Sequence, residues 1–376
     1  MKRSLISLAS AVALVVGACS SAATPTQSTA PSLAPSGVAA STPAGGPFTV
    51  TDAMGNKVSF DALPMRVVIA GKALFMVADA AYLFSEAPSR IVAMASTVQN
   101  KLSWPQAFDS TYSSKTILDA SAGAEQIAAT KPDLVLLKSS NATTLGQPLV
   151  ALGVKVVYVD FETPDQYTRD LATLGQLFGD QARAQQLGAY FQAQASSITT
   201  KLAGLTDAQK PKVLVLYYSN KNGTIAFNVP PLSFIQSTEV QLAGGQPVWK
   251  DAQLGSSWTT VTLEQIAAWN PDQVYLIAYS GSSADVVATL KADPKWQALK
   301  AAKDNAIYAF PADYYSWDQP DPRWPLGLDW LAAKIHPDLF PSFSMDTVAR
   351  GLYKDLYGLD DATYDKLVKP NLVGSF

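Results

Sequence analysis

One unit is written twice in this chain. EQIAATKPDLVLLKSS runs from Glu125 to Ser140, and EQIAAWNPDQVYLIAYS runs from Glu264 to Ser280, roughly 140 residues later. Each opens with Glu-Gln-Ile-Ala-Ala, turns at Pro-Asp and continues into an apolar run. Proline disfavours helix in the residue before it, so each copy reads as a short helix, a turn and a buried strand. A chain that builds this unit twice is constrained to two α/β lobes of related plan.

The remaining segments fit that frame. FTVTDAMGNKVSF alternates around Met54-Gly55-Asn56 and reads as a small hairpin. RVVIAG, RIVAMA, LVLLK and VKVVYVD read as strands of a first lobe, with helical spacing in KALFMVADAAYLF. From Thr163 to about Leu205 only helical spacing is present, punctuated at Gly179-Asp180. The second of these helices, at about 20 residues, would span roughly 30 Å and could cross between lobes. Strands KVLVLYY, QVYLIA and AIYAFPA and helices FIQSTEVQLAGG and RWPLGLDWLAAKIHP then form a second lobe. The expected fold class is α/β: two lobes with largely parallel sheets joined by a single long helix. The expected bounds are 48–162 for the N-terminal lobe, 163–205 for the linking helices, 206–341 for the C-terminal lobe and 342–376 for a helical tail.

Composition excludes several classes. The chain has 376 residues, 48% of them hydrophobic, enough for two cores. Charged residues are 16%, the net charge is −3, and no Lys/Arg-rich run exists, which argues against a nucleic-acid partner. One Cys and one His exclude a disulfide framework and a Cys/His zinc cluster. Lys2 and Arg3 followed by LISLASAVALVV form a secretory signal too short to span a membrane. Val16-Gly17-Ala18-Cys19 resembles a lipobox, so residues 1–19 are expected to be a lipoprotein signal and Cys19 the lipidated residue. Residues 20–47 are almost all Ser, Ala, Thr, Pro and Gly, and are expected to be a disordered tether.

Both repeat copies have a local account. Thr262 suits an N-cap with Gln265 at the capping-box spacing, Gly123 can cap the first copy, and Glu125 and Glu264 fall in first turns facing the positive end of the helix dipole. The chain also resembles a known family. Asp52, Gly55, Pro64, Arg66, Val67 and Val68 match its opening motif, and Pro132-Asp133 and Pro271-Asp272 match its lobe motifs. Together with the lipobox, tether and long middle helix, these are similar to periplasmic binding proteins for metal chelates, over Phe48 to about Ile335.

The resemblance implies a substrate-binding subunit of an ABC importer, lipid-anchored outside the cytoplasm, monomeric, needing no cofactor and not an enzyme. Its partners would be a permease dimer with its ATPase and a small molecule, either a metal chelate (ferric siderophore, corrinoid or haem) or an oxyanion such as molybdate or tungstate. The membrane would be met only through the lipid. Family members carry one acidic residue per lobe that meets the permease, and Glu125 and Glu264 fall at the matching positions. A chelatase-like enzyme and an envelope scaffold are the rival classes. No P-loop, nucleophile elbow or dinucleotide fingerprint supports an enzyme.

In two-lobed α/β proteins ligands bind outside the carboxyl ends of strands. Those ends carry Lys72, Gln99, Trp104, Ser139 and Ser140 in the first lobe, and Tyr217, Tyr218, Asn220, Trp258 and Tyr279 in the second. The run DYYSWDQPDPRWP adds Tyr315, Trp317 and Arg323. Aromatic faces suit a large flat ligand and an Arg fork suits an oxyanion. Alternatively these aromatics pack under the last helix of the lobe, and Arg323 pairs with Asp318, Asp321 or Asp329. Lys72, Lys101, Lys138, Lys221 and Arg323 are the basic residues available to such a cleft. His336 stands alone, so no metal site of the protein's own is expected.

Overall fold

The computed structural model describes residues 46–96 and 103–375. Strands β1 (Phe48–Thr51) and β2 (Lys57–Phe60) pair antiparallel, the hairpin read from the sequence. Asp52 closes its turn: Oδ1 accepts the N–H groups of Met54 and Asn56, both at 2.9 Å, and Gly55 takes φ 82°.

The first lobe is a five-stranded sheet of β3 (Val67–Ile69), β4 (Ile91–Ala95), β5 (Thr116–Leu118), β6 (Leu134–Lys138) and β7 (Val156–Val159). Its order is β5-β4-β3-β6-β7 and every pairing is parallel. The central strands β3 and β6 are buried along their whole length, as expected of a parallel sheet covered on both faces.

The second lobe contains β8 (Lys212–Lys221), β9 (Thr224–Val229), β10 (Gln246–Pro247), β11 (Thr259–Val261), β12 (Gln273–Ile277) and β13 (Ile307–Ala309). The order is β11-β9-β8-β12-β13, with β10 beside the start of β8. β8, β12 and β13 run parallel, whereas β9 and β11 are antiparallel. The turn into β9 is Asn222-Gly223, with φ 53° and 84°, the left-handed pair that a two-residue hairpin requires.

The repeated unit does the same work twice. Its strand lies beside the first strand of its lobe, β6 on β3 and β12 on β8. The residue before each proline, Lys131 or Asn270, takes a left-handed φ of 53° or 47°; Asn270 is the C-cap of its helix, whereas the first helix ends at Ala128, three residues before Lys131. The aspartate that follows anchors the neighbouring strand. Asp133 Oδ2 accepts the N–H of Arg66 at 2.9 Å, and Asp272 Oδ2 accepts that of Lys212 at 2.8 Å. In the second copy Thr262 and Gln265 complete a capping box, at 2.8 and 3.2 Å. In the first, Gly123 has no side chain, so only the return bond from its N–H to Gln126 is made, at 3.0 Å.

Between the lobes run helices Pro164–Phe178 and Gln181–Leu202. Gly179 at φ 75° ends the first, and Asp180 caps the second by accepting the Arg183 N–H at 2.9 Å. The second is 22 residues long, about 33 Å at 1.5 Å per residue. After helix Trp324–Ile335, the tail forms helices Met345–Tyr357 and Asp361–Leu367. Its last residues return to the second lobe, where Val373 pairs with Ala312 and Ser375 with Ala309. No described helix is long and apolar enough to cross a membrane.

Candidate ligand site

At the carboxyl end of β12 stands an aromatic wall. Tyr217 lies within β8 opposite Ile277, the last residue of β12, Tyr279 follows β12, and Trp258 precedes β11. Tyr217 lies 4.7 Å from Tyr279 and 5.3 Å from Trp258 by ring centroid, and Phe234 closes the group 6.3 Å from Trp258. All four are partly exposed. Tyr279 is fixed from behind. Its hydroxyl donates to Asp318 Oδ2 at 2.6 Å, and Gln236 Nε2 donates to the same oxygen at 2.9 Å. Burial, then the Asp318 carboxylate, push the Tyr279 phenol well up, so it stays a donor.

Tyr279 also lines a pocket of about 380 Å³, together with Ser282, Ser283, Tyr315, Ser316 and Asn371. The returning tail forms one wall of it.

Tyr218 does not join this wall. Successive strand residues face opposite sides, and Tyr218 packs on Phe227, 6.0 Å away across the β8–β9 pair. Lys72 of the first lobe is exposed; its backbone N–H donates to Asn141 Oδ1 at 2.9 Å, and its carbonyl accepts from Asn141 Nδ2 at 3.1 Å. That clamp requires Gly71, at φ 81°, because a Cβ there would come 2.9 Å from Asn141 Cγ. Gln99 and Lys101 lie outside the described residues, as do the signal with Cys19 and the tether as far as residue 45.

Trp104, Tyr315, Trp317 and Arg323, expected at the cleft, lie deeper. Arg323 is fully buried and joins both lobes and the tail. Its Nη1 lies 2.5 Å from Asp79 Oδ2 on the first-lobe helix Leu74–Ala81. Its Nε lies 2.9 Å from Asp313 Oδ1 and donates to the Tyr353 hydroxyl at 2.8 Å, and Asp321 Oδ2 sits 3.5 Å from Nη1. Tyr353 in turn donates to Asp313 Oδ2 at 2.7 Å. Of the partners read from the sequence for Arg323, Asp321 is present; Asp318 instead serves Tyr279. Trp104 is buried among Tyr314, Tyr353 and Tyr357, and Trp317 has no exposed surface. Tyr315 alone of the four also reaches the pocket.

One guanidinium cannot balance three carboxylates. Burial pushes Asp79 up to about 6 and Asp321 up to about 8, against the pull of Arg323. A second acidic pair lies near. Glu239 is fully buried, and burial followed by Asp318 raises its carboxyl well above the ordinary range. The other buried cation of the seam, Lys138 at the end of β6, pairs with Glu162 Oε1 at 2.5 Å, whose Oε2 accepts the Ile235 N–H at 3.0 Å in the second lobe. Asp79, Gln236 and Glu239 escaped the sequence reading, although a lone acid inside the apolar run LFMVADAAYLF is the mark of a buried partner. Among the described residues no group of His, Cys, Asp or Glu is arranged to hold a metal ion.

A family model described as periplasmic binding protein matches residues 86–314, more than half of the chain. The chain belongs to the periplasmic binding protein family. Membership implies work outside the cytoplasm in a family of solute-binding, not catalytic, proteins. Among curated proteins this periplasmic binding protein is 30% identical over 98 residues to the molybdate-binding protein MolA of Haemophilus influenzae, 26% of this chain and 27% of that one. It is 28% identical over 165 residues to a vitamin B12-binding protein of Yersinia pestis, 44% of this chain and 55% of that one. The chain therefore spans about a quarter to about half the length of these relatives. In fold it is similar to nickel-bound CeuE of Helicobacter pylori, with TM-score 0.68 and 19% identity over 85% of this chain and 99% of that one. It is also similar to molybdate-bound MolA, with TM-score 0.67 and 18% identity over 83% and 98%.

Proposed function

We propose that this protein is the solute-capturing subunit of an ABC importer, anchored through a lipid on Cys19, and that it receives a metal chelate between its lobes. The observation that carries the reading is the wall of Tyr217, Trp258 and Tyr279 gathered around the carboxyl end of β12, since a two-lobed α/β protein holds its ligand outside the carboxyl ends of strands. Lys72 is exposed just beyond the carboxyl end of β3 in the first lobe. A vitamin B12-binding relative supports a bulky chelate; the molybdate-binding relative favours, as a second reading, a compact oxyanion.

Delivery would use Glu125 and Glu264. Both are exposed and both occupy the second helical position of their repeat unit, one per lobe. Two equivalent acids suit docking on a permease with two equivalent subunits, through charge-assisted pairs with arginine. The reading is tested by native mass spectrometry of the protein from its own host, followed by titration with ferric siderophores, corrinoids, haem and molybdate. A bound or saturably binding member of this panel is expected. Folded protein that carries nothing and responds to none of them overturns the proposal.

A further inference from the structure

We propose that the cargo carries no net negative charge: a neutral or cationic metal chelate, lying on Tyr217, Trp258 and Tyr279 and placing polar groups in the pocket that Tyr279 shares. This rests on the importer reading above and narrows it against the oxyanion.

The pocket has the wrong chemistry for an anion. Its lining contains no Lys, Arg or His, and its one carboxylate is Asp313. Its polar side chains are the hydroxyls of Ser282, Ser283, Ser316, Tyr314 and Tyr315, the amide of Asn371, and Tyr279, whose hydroxyl is already donated to Asp318. Hydroxyls and amides match the carbonyl, hydroxamate and amide groups of an uncharged chelate. Helix Ser283–Ala292 begins at the pocket with an acidic residue already in its first turn. Ser282 Oγ accepts the Asp285 N–H at 3.1 Å, and the Asp285 carboxylate stands in the first turn.

The protein behind the wall does not supply positive field either. Asp318 and Glu239 are fully buried, and Asp318 Oδ1 and both Glu239 carboxyl oxygens have no partner among the described residues. Ionised, they repel an anion; protonated, they are neutral and add no positive charge. Arg323 pairs through Nε and Nη1 with Asp79, Asp313 and Asp321, leaving Nη2 without a partner among the described residues, and Lys138 pairs with Glu162. Drawing either cation away from its partners would strand buried carboxylates. An oxyanion in the pocket would have to give up its hydration with no cation in the lining to replace it.

The test is calorimetric titration of the mature protein with four probes: a cationic ferric trihydroxamate, neutral cyanocobalamin, a multiply anionic ferric tricatecholate, and molybdate. At least one of the first two is expected to bind about 100-fold more tightly than either anion, a difference of about 2.7 kcal/mol. An anion that binds as tightly or tighter overturns the charge inference and leaves the importer reading standing. Failure of all four, with the protein folded, overturns both. The exposed rim residue Ala284 supplies a second arm. Ala284→Lys is expected to weaken the cationic or neutral probe and to strengthen molybdate. Unchanged affinities would show that the pocket does not receive the cargo.

Discussion

Phe75 of the first lobe stacks on Tyr315 of the second, with ring centroids 4.3 Å apart and planes 24° from parallel. The contact lies inside the seam, next to the Asp79–Arg323 pair, so the lobes meet there through a packed interior. Opening at the seam would separate both contacts. A double-mutant cycle of Phe75→Leu and Tyr315→Leu, read by urea unfolding, is expected to give a coupling of about 0.5–1.5 kcal/mol. Simple additivity would mean the rings do not depend on each other.

Arg323 is the cation on which three buried aspartates depend. Truncation to Met removes it and leaves those carboxylates unpaired, so Arg323→Met is expected to cost about 3–5 kcal/mol in unfolding free energy. Arg323→Lys should recover little of this, because an ammonium cannot present Nε and Nη1 donors in one plane to Asp313 and Asp79. Full stability of the Lys variant would show that charge alone suffices.

The same cluster sets a pH dependence. Asp79 and Asp321 are raised, to about 6 and about 8, chiefly by burial. A carboxyl whose folded value lies above its unfolded value favours folding when protonated. Its contribution is therefore fully present below the ordinary carboxylate range and is lost as pH rises through 6 and then 8. The melting temperature is expected to fall between about pH 4 and pH 8, and Asp321→Asn should flatten the upper part of that fall. A melting temperature that climbs across the range would contradict the assignment.

What could be read in advance follows from the range of the interactions. The repeat, its Pro-Asp turns and the Gly179-Asp180 break are written in contiguous residues, and they fold as read. Strand β9 was missed although Asn222-Gly223 is a strong hairpin signal, and the three-residue β5 is too short to show a period. The wall was half legible. Trp258 and Tyr279 come together, but with Tyr217 rather than Tyr218, because strand alternation decides which neighbour faces them. The pairing of Arg323 with Asp321 was legible locally, but its partner Asp79 was not: Asp79 lies 244 residues away in sequence, and a lone acid in an apolar run announces a buried partner without saying which.

Charge reversal at the repeat tests delivery separately from capture. Glu125 and Glu264 are exposed in the first turns of their repeat helices, and neither belongs to the aromatic wall or lines the pocket. Glu125→Lys with Glu264→Lys is expected to abolish the binding protein's stimulation of ATP hydrolysis by its reconstituted permease, while ligand affinity and unfolding midpoint stay unchanged. Undiminished stimulation would refute the docking role.

Trp258 offers the cleanest report of where the cargo sits. Of the eight tryptophans in the chain, Trp104, Trp249, Trp296, Trp317, Trp324 and Trp330 are buried, while Trp258 and Trp269 are partly exposed. Trp269 ends the second repeat helix, away from the wall, so a ligand on the wall should quench chiefly Trp258. Trp258→Phe keeps an aromatic face against Tyr217 and Tyr279 but removes the reporter. Ligand-induced quenching is then expected to disappear while affinity by calorimetry changes by less than about tenfold. Trp258→Ala should lose the affinity as well, by about 1–3 kcal/mol if the ring stacks on the cargo. Quenching that survives Trp258→Phe would move the ligand off this wall and toward the seam, where Trp104 and Trp317 lie.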